Sequence, residues 1–322
     1  MIFALVLALL PCDIQAATAA QDKIFAIGFA SVGSESSDRL IIDGISKELE
    51  SRRLTRGKHF EFVRQSLDSE DSKNIEDVLP KLDRRNVDVI LIPDLELIKI
   101  VAKHPTRAPV LFNIYANAVD AGLSATFAEP TRRMTGLSSF VDLDLKRIEL
   151  LRIALASRGP IGVLVDVGDD TTDKLIQKLT SSLLSKQGRI SYIEVSSAKD
   201  FSQIAAKLTR LKLAGLYVPA HNLFSRNIEG IVAALAPAKI PVMYESGRAV
   251  RKGGLMAYEI NFLDVNSRLA DMIILLRDGT PVSRIPIEQP KSFSFVLNLS
   301  EAARIGWRPR PELLSIVSEV VN

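Results

Sequence analysis

The sequence predicts an α/β protein built from two doubly wound parallel-sheet lobes. Short apolar runs rich in β-branched residues alternate with amphipathic segments of roughly 10 to 16 residues, which is the pattern of consecutive βαβ units. The alternation occurs in two successive series, separated by a Gly-, Pro- and Ser-containing stretch that follows neither period. At 322 residues the chain is long enough for two domains of about 150 residues each.

The first series predicts the sheet of lobe 1. Ile41, Ile45 and Leu49 recur on one face of a predicted helix that follows the first strand. The predicted strands of this series are residues 23–30, 60–66, 87–93 and 108–115.

The second series predicts the sheet of lobe 2. Phe201, Ile204 and Leu208 mark the apolar stripe of one of its helices. A helix that ends at Gly279 and a strand at residues 293–299 come too late to form a third domain, so we expect them to complete the two lobes. The predicted strands of this series are residues 160–166, 190–196, 214–220 and 241–246.

The first twenty residues differ in kind from the rest. An apolar run ends at Pro11, and the small residues after it have the spacing of a signal-peptidase site. We therefore predict a signal peptide at residues 1–20. A disordered or buried N-terminus is the alternative, because no Lys or Arg precedes the run. Cys12 is the only cysteine, and Pro11 directly before it argues against lipoprotein anchoring.

The charge pattern excludes one class of partner. The chain has 41 Lys and Arg against 38 Asp and Glu, a formal charge of +3, without a long run of like charges. A nucleic-acid-binding face needs clustered Lys and Arg, often with aromatic residues among them. We expect no nucleic acid as a partner.

A polar turn with a histidine follows one strand of the second series. His221 and Asn222 stand between that strand and an amphipathic helix. Sites in open α/β sheets lie beyond the carboxyl ends of the strands, where helix N-termini present free N–H groups. We interpret His221 as a ligand-facing hydrogen-bonding group, with a solvent-exposed or helix-capping role as the alternative. A metal role is not expected, because no partner lies at ligand spacing.

The remaining motifs favour structural roles. Asp166, Asp169 and Asp170 follow a strand and suggest a carboxylate pair or a Mg²⁺ site, but Asp also caps helices, and we favour capping. The chain lacks Gly-rich phosphate loops, and GLSSF at residues 136–140 lacks the second glycine of a nucleophile elbow. The residues predict a binding protein without a cofactor rather than an enzyme.

Many short stretches, taken in order, resemble one family. The chain is similar to the solute-binding component of ABC importers, in the subfamily that includes tryptophan- and tyrosine-type binders and has the type I periplasmic binding protein fold. No single motif is diagnostic. The stretches are TGLSSFVDLDLKRIELLRIAL (135–155), IGVLVD (161–166), GLYVPAHNLFSRNIEGIVAAL (215–235), AKIPVMYES (238–246), RKGGLMAY (251–258) and IPIEQPKSFSFVLNLSEAARIGWRPRPELLSIVSEVV (285–321).

The resemblance implies a mechanism. Two lobes joined by three crossing segments would close on a small polar, amino acid-like molecule, and an ABC permease with its ATPase would receive it. The protein would be periplasmic and a monomer. The lobes would comprise residues 21–117 with 257–288 and residues 128–253 with 291–322, and the hinge crossings would lie at residues 116–128, 253–258 and 286–292.

The resemblance also implies the ligand-binding residues. The family's strand-end turns map onto mostly polar positions that each follow a predicted strand. These are Ser31, Ser34, Asp94, Leu95, Tyr115, Asn117, Ser138, Ser139, His221, Asn222, Glu245, Ser246 and Asn261.

Two turns depart from the family's pattern. Asp94 and Glu96 stand where hydroxyl and small residues are common, and a carboxylate there competes for N–H groups that would hold a ligand carboxylate. His221 stands where the family has an aspartate, the expected partner of an ammonium group. These departures leave two alternatives open, a non-transport ligand sensor or partner-binding protein with the same fold, and an enzyme on that scaffold.

Overall fold

The computed structural model describes residues 23–67, 78–130, 133–155, 159–169, 171–182 and 189–322. The predicted signal peptide and Cys12 lie outside these residues. The chain divides into two compact units, the first ending at Phe140 and taking in Leu263–Gln289, the second comprising Val141–Phe262 and Pro290–Asn322. No described helix is both long and apolar enough to span a bilayer.

The first unit contains a five-stranded parallel sheet. Its strands run in the order β2-β1-β3-β4-β5, and every neighbouring pair is parallel. The strands are β1 (Phe25–Val32), β2 (Phe60–Leu67), β3 (Val89–Ile92), β4 (Val110–Ile114) and β5 (Met134–Ser138), and the helices are α1 (Glu35–Ser51), α2 (Val78–Arg84), α3 (Leu95–Lys103) and α10 (Phe262–Arg277, whose first residue falls in the second unit).

Helices cover both faces of this sheet because its buried residues alternate. Ile90 and Ile92 of β3 pack into one core with residues of α2 and α3. Val89 and Leu91, which alternate with them along the strand, are equally buried and point the other way. Directly after α1, Arg52 donates to Asp271 and to Ser267 of α10, so these two helices lie side by side.

The second unit contains a seven-stranded sheet in the order β12-β11-β10-β9-β8-β6-β7. All neighbouring pairs are parallel except β10 and β11. The strands are β6 (Ile161–Asp166), β7 (Ile190–Val195), β8 (Gly215–Val218), β9 (Val242–Tyr244), β10 (Met256–Ile260), β11 (Phe293–Asn298) and β12 (Val317–Val321).

Two apolar cores sandwich the second sheet. Leu216 and Val218 of β8 join the core of α6 and α8, whereas Tyr217 between them joins the core of α4. The helices of this unit are α4 (Asp144–Leu155), α5 (Thr171–Ser181), α6 (Phe201–Leu211), α7 (Asn222–Arg226), α8 (Ile228–Leu235), α9 (Gly247–Arg251), α11 (Leu299–Arg304) and α12 (Pro311–Leu314).

The two-lobed, doubly wound α/β prediction is confirmed, with one antiparallel pair added. The units differ from the expected lobe boundaries at β5 and β10. Strand β5, in the range expected for lobe 2, pairs with β4 of the first unit, and β10, largely in the range expected for lobe 1, pairs with β9 of the second. The chain passes between the units after Phe140, Phe262 and Gln289.

Strand β5 tolerates polar residues because a later segment satisfies them. Thr135, fully buried, donates its hydroxyl to the carbonyl of Ile285 at 2.6 Å. The N–H of Ser138 donates to the carbonyl of Glu288, and the N–H of Glu288 donates to that of Gly136. The residues after Ile285 therefore run along the outer edge of β5.

Candidate functional site

The switch point of the second sheet lies between β6 and β8, where neighbouring strands connect to helices on opposite sides. Asp166 is the last residue of β6, and His221 follows β8. His221 Nδ1 lies 3.4 Å from Asp166 Oδ2, and Nε2 lies 2.7 Å from Asp169 Oδ2. The fold thus brings three polar side chains together at the place where ligands bind in such sheets.

The imidazole of His221 is held from three sides. The N–H of Leu223 donates to Nδ1 at 3.2 Å, so His221 also caps α7. The ring of Phe224 packs beside it with centroids 5.3 Å apart. Nε2 is close to Asp169 but lacks the alignment of a hydrogen bond. The side chain is 10% exposed, so its orientation is fixed by the unit itself.

Asp166 and Asp169 behave differently from simple helix caps. Asp166 Oδ1 accepts the N–H of Gly168 at 2.9 Å, inside the turn that precedes α5. The Asp166 side chain is 12% exposed and that of Asp169 is 29% exposed, and both face His221. The capping interpretation agrees with the bond from Gly168 to Asp166 and leaves out the contacts that both carboxylates make with His221. Asp170 lies outside the described residues.

The next strand along, β9, adds a carboxylate to the same edge. Glu245 follows β9, and its Oε1 accepts the hydroxyl of Ser225 from α7 at 3.2 Å. Ser246 caps α9 by accepting the N–H of Arg248. Asn222 is exposed at the start of α7, and the N–H of Asn261, after β10, donates to the carbonyl of Ser292.

Beneath this edge lies a buried arginine that the sequence reasoning missed. Arg147 of α4 is 3% exposed. Its guanidinium donates to the carbonyl of Tyr258 at 2.7 Å and to that of Glu245 at 3.0 Å. Because Tyr258 lies in the middle of β10 and Glu245 directly follows β9, Arg147 bridges these two neighbouring strands.

Arg147 belongs to a wider charged network. Tyr217 donates to Asp144 Oδ1 at 2.5 Å, and burial raises the pKa of Tyr217 well above its ordinary value. Lys178 donates to Asp142 and Asp144. Burial lowers the pKa of Lys178, but these two carboxylates outweigh it and raise the pKa overall. The cations under this edge are therefore engaged by groups of the unit.

A buried carboxylate of β10 accepts a hydrogen bond from the turn after β9. Glu259 of β10 accepts the N–H of Gly247 at 2.8 Å. Burial raises its pKa, opposed by that N–H and by Arg251. A Cβ at position 247 would stand 2.4 Å from Glu259 Oε1, so a larger residue there would displace this carboxylate.

In the first unit, the turn after β1 is internally satisfied. Ser31, near the end of β1, is 4% exposed; its hydroxyl donates to Asp38 at 2.6 Å and lies 3.0 Å from the hydroxyl of Ser66, which can donate to it. Arg64 donates to the other oxygen of Asp38 at 2.8 Å. Ser34 caps α1 by accepting the N–H of Ser37.

The polar groups in the turns after β3, β4 and β5 are also hydrogen-bonded within the first unit. Asp94 caps α3 through the N–H of Leu97, with Leu95 as the first helical residue. Asn117 accepts the N–H groups of Val119 and Asp120. The hydroxyl of Ser138 donates to the carbonyl of Ala116, and that of Ser139 donates to Asn113. These predicted residues stand at strand ends, as expected, with their polar groups used by the unit.

An exposed aromatic pair lies at the same edge. Tyr115, after β4, is 53% exposed, and Phe140, after β5, is 39% exposed. Their rings meet edge to face with centroids 5.7 Å apart. Tyr115 was among the predicted residues, but Phe140 was not, because nothing local in its stretch shows that β4 and β5 are neighbours. Across the described residues, no group of His, Cys, Asp or Glu is arranged to hold a metal ion.

Known proteins share this architecture. The chain is 21% identical over 192 residues to the tyrosine-binding protein of Clostridioides difficile strain R20291, a match that covers 59% of this chain and 54% of that protein. The chain therefore spans about half the length of this curated relative.

Solved structures match over more of the chain. A substrate binding protein with adhesive properties from Clostridium difficile, in its ligand-free, open structure, superposes with a TM-score of 0.76 at 20% identity, covering 92% of this chain and 99% of that one. An ABC domain from Streptococcus pneumonia in complex with L-Trp superposes with a TM-score of 0.70 at 18% identity, covering 93% and 100%. These likenesses show the shared fold.

A family model decides the assignment. The model described as ABC transporter substrate binding protein matches residues 27–321, which is nearly all of the chain beyond the predicted signal peptide. The chain belongs to the ABC transporter substrate binding protein family.

Proposed function

We propose that this protein is the extracytoplasmic solute-binding component of an ABC importer, delivering a small polar molecule to a separate permease and ATPase. Family membership supports the solute-binding role, and the relatives whose names include tyrosine and L-Trp support an amino acid-like solute. We propose further that it works in the periplasm as a monomer and has no catalytic activity of its own.

One structural observation supports the proposal independently of family membership. At the switch point of the second sheet, His221 is fixed against Asp166 and Asp169 by its bond from Leu223 and its contact with Phe224. Fixed polar groups beside partly exposed carboxylates are what a solute-binding edge requires, because prior ordering lowers the entropy cost of binding.

A thermal-shift screen tests the proposal. Amino acids, amines, purines, sugars and small peptides would be screened against the protein. A solute at 100 times its Kd should stabilise the folded state by roughly 2.7 kcal/mol, which corresponds to several degrees of Tm. The shift should disappear in the His221→Ala/Asn222→Ala double variant and persist in His104→Ala, which changes an exposed histidine after α3. A screen without any shift would contradict the solute-binding role.

The exposed aromatic pair gives a separate test for the first unit. Edge-to-face pairs are rigid apolar platforms, and an aromatic contact with a ligand contributes about 0.5–1.5 kcal/mol beyond the area that it buries. Tyr115→Ala and Phe140→Ala should each weaken binding of the solute found in the screen roughly 3- to 10-fold by isothermal titration calorimetry. Leu40→Ala changes a more exposed apolar side chain on α1, 77% exposed, and should leave the affinity unchanged. Equal affinities for all three variants would show that the aromatic pair is not part of the binding surface.

A further inference from the structure

A pocket of the first unit lies between α2 and α3 and has a volume of about 330 Å³. Small-molecule sites measure roughly 300–1,000 Å³. The lining includes Asp83 near the end of α2 and Thr106 in the loop before β4, so the pocket lies toward the amino ends of the parallel strands β3 and β4. The turns of Asp94 and Asn117 follow the carboxyl ends of the same strands. The pocket is therefore separate from the edge at which the solute is proposed to bind.

The walls of this pocket are mostly apolar. Leu79 and Pro80 of α2, Ile100 of α3 and Pro105 of the following loop all line it. Leu79 is buried, whereas Pro80 and Pro105 are exposed, so the apolar surface continues from the interior to the rim. An apolar group that enters the pocket exchanges contact with water for contact with these side chains, which favours its binding.

Two polar groups of the lining are already bonded within the unit. The hydroxyl of Thr106 donates to the carbonyl of Ala108 at 2.8 Å. Asp83 Oδ1 accepts the N–H of Arg107 at 3.1 Å. The polar part of a ligand therefore has to find its partners at the rim.

Exposed cations surround the rim. Five stand directly next in sequence to lining residues, and one of them, Lys99, is paired with Glu96 at 2.8 Å. Arg133 donates to the carbonyls of Thr106 and Arg107, so its charge lies against the same loop. Within the part of the chain that the structure describes, the other four form no ion pair, and they are Lys81, Arg84, Lys103 and Arg107.

The balance of charge sets the class of ligand. Against these cations the lining contributes the carboxylate of Asp83. A surface with such an excess of positive charge attracts anions, and Lys and Arg side chains bind carboxylate and phosphate groups in particular. Apolar walls below a cationic rim are complementary to a molecule that is apolar at one end and anionic at the other.

We propose that this pocket binds an amphiphile with an apolar body and an anionic head, a carboxylate or a phosphate. The body lies against Leu79, Pro80 and Ile100, and the head meets Lys103 and Arg107 at the rim. A head of this chemistry belongs either to a free amphiphile or to a lipid of a membrane surface. Binding here is independent of the solute-binding role, because the two sites lie at opposite edges of the sheet.

Calorimetry with probes of one chain length tests the head. Decanoate and decyl phosphate carry an anionic head, decanol carries no charge, and decyltrimethylammonium carries the opposite charge. Below their micelle concentrations the two anions should bind, decanol should bind at least about 10-fold more weakly, and the cation should not bind. Equal affinities for decanoate and decanol would overturn the proposal.

A series of chain lengths tests the pocket. From hexanoate through octanoate to decanoate, each methylene that enters the pocket should tighten binding roughly 4-fold, until the pocket is full. Affinities that do not depend on chain length would contradict the proposal, because the anion would then be held by surface charge alone.

Variants locate the site. Lys103→Glu/Arg107→Glu turns two attractions into repulsions and should weaken decanoate binding about 10-fold or more. The matched control is Lys47→Glu/Lys174→Glu, which makes the same change of net charge at exposed positions of α1 and α5 and should leave the affinity unchanged. A rim variant that binds decanoate as tightly as this control would refute the assignment.

A second variant tests the apolar wall. Ile100→Trp places a larger side chain in the pocket and should abolish decanoate binding. The rim variant changes exposed residues alone, so the test does not depend on the folding of Ile100→Trp. A folded Ile100→Trp protein that binds decanoate with the wild-type affinity would place the amphiphile elsewhere and contradict the proposal.

Co-sedimentation with vesicles distinguishes the two sources of the head. Binding to phosphatidylglycerol vesicles but not to phosphatidylcholine vesicles, with loss of binding in Lys103→Glu/Arg107→Glu, would assign the head to a membrane lipid. Binding of soluble decanoate without binding to vesicles would assign it to a free amphiphile. Either result supports the proposal, and the absence of both would overturn it.

Discussion

Replacing Arg147 with methionine tests whether this buried side chain holds the edge of the second sheet together. Methionine keeps much of the apolar stem and removes the guanidinium. The carbonyls of Tyr258 and Glu245 then lose the donors that lie 2.7 and 3.0 Å away. Asp144 loses a neighbouring charge 3.8 Å away but keeps its bond from Lys178.

The expected cost follows from these contacts. Hydrogen bonds from a charged donor contribute about 1.5–3 kcal/mol each, and removing one member of a buried charged network costs about 3–5 kcal/mol. Arg147→Met should therefore lower the free energy of unfolding by roughly 3–5 kcal/mol. At about 2–4 °C per kcal/mol for a unit of this size, Tm should fall by roughly 6 to 20 °C.

Differential scanning calorimetry of the whole chain measures this loss. Arg147→Lys keeps the charge but offers a single ammonium in place of a planar fork, so it should recover only part of the stability. Arg248→Ala, an exposed arginine of α9, is the matched control and should stay within about 0.5 kcal/mol of the wild type. An Arg147→Met variant as stable as this control would refute the argument, because it would show that desolvation of the guanidinium cancels its bonds.

Two further substitutions, one in each unit, test a close backbone contact and a raised pKa. Gly136→Ala places a Cβ 2.0 Å from the carbonyl oxygen of Phe112 at a φ of +151°, so the yield of folded protein should fall sharply. In the control, Gly33→Ala, the added Cβ meets nothing within 4 Å, and Tm should stay unchanged. Equal yields of the two variants would contradict the close β4–β5 contact. Burial raises the pKa of Glu259 above 4.5, so the folded state holds that proton more tightly than the unfolded chain. The stability that protonation of Glu259 contributes is full below about pH 4.5 and is lost as the pH rises through the raised pKa. The Tm of Glu259→Gln should therefore rise relative to that of the wild type between pH 4 and pH 7. Parallel Tm curves for the two proteins would contradict the raised pKa.

Local patterns were enough to predict most of the fold. The runs at residues 160–166 and 190–196 are apolar and β-branched, and they form β6 and β7 within a residue of the expected bounds. Strand β5 escaped prediction because Thr135, Gly136 and Ser138 resemble loop residues. Their buried polar groups are satisfied by residues near Ile285, about 150 positions later in the chain, and no local window contains that information.

The candidate site shows the same limit at the level of single side chains. The turn of His221 was found because it follows a strand, a feature that sequence carries. Its pairing with Asp166 depends on β6 and β8 being neighbours, and the strand between them in sequence, β7, lies on the far side of β6. A reading confined to neighbouring residues could only assign Asp166 to its own turn.

The serine hydroxyls among the predicted site residues show that this limit applies to both units. Ser31 and Ser138 were selected because they stand at strand ends, and both stand there, but each hydroxyl already has partners within the first unit. Position at an edge follows from the strand pattern, whereas the availability of a polar group depends on contacts made by distant segments. Tyr115, 53% exposed in the first unit, and Asp169, 29% exposed in the second, are side chains at these edges whose substitution would separate a binding role from a structural one.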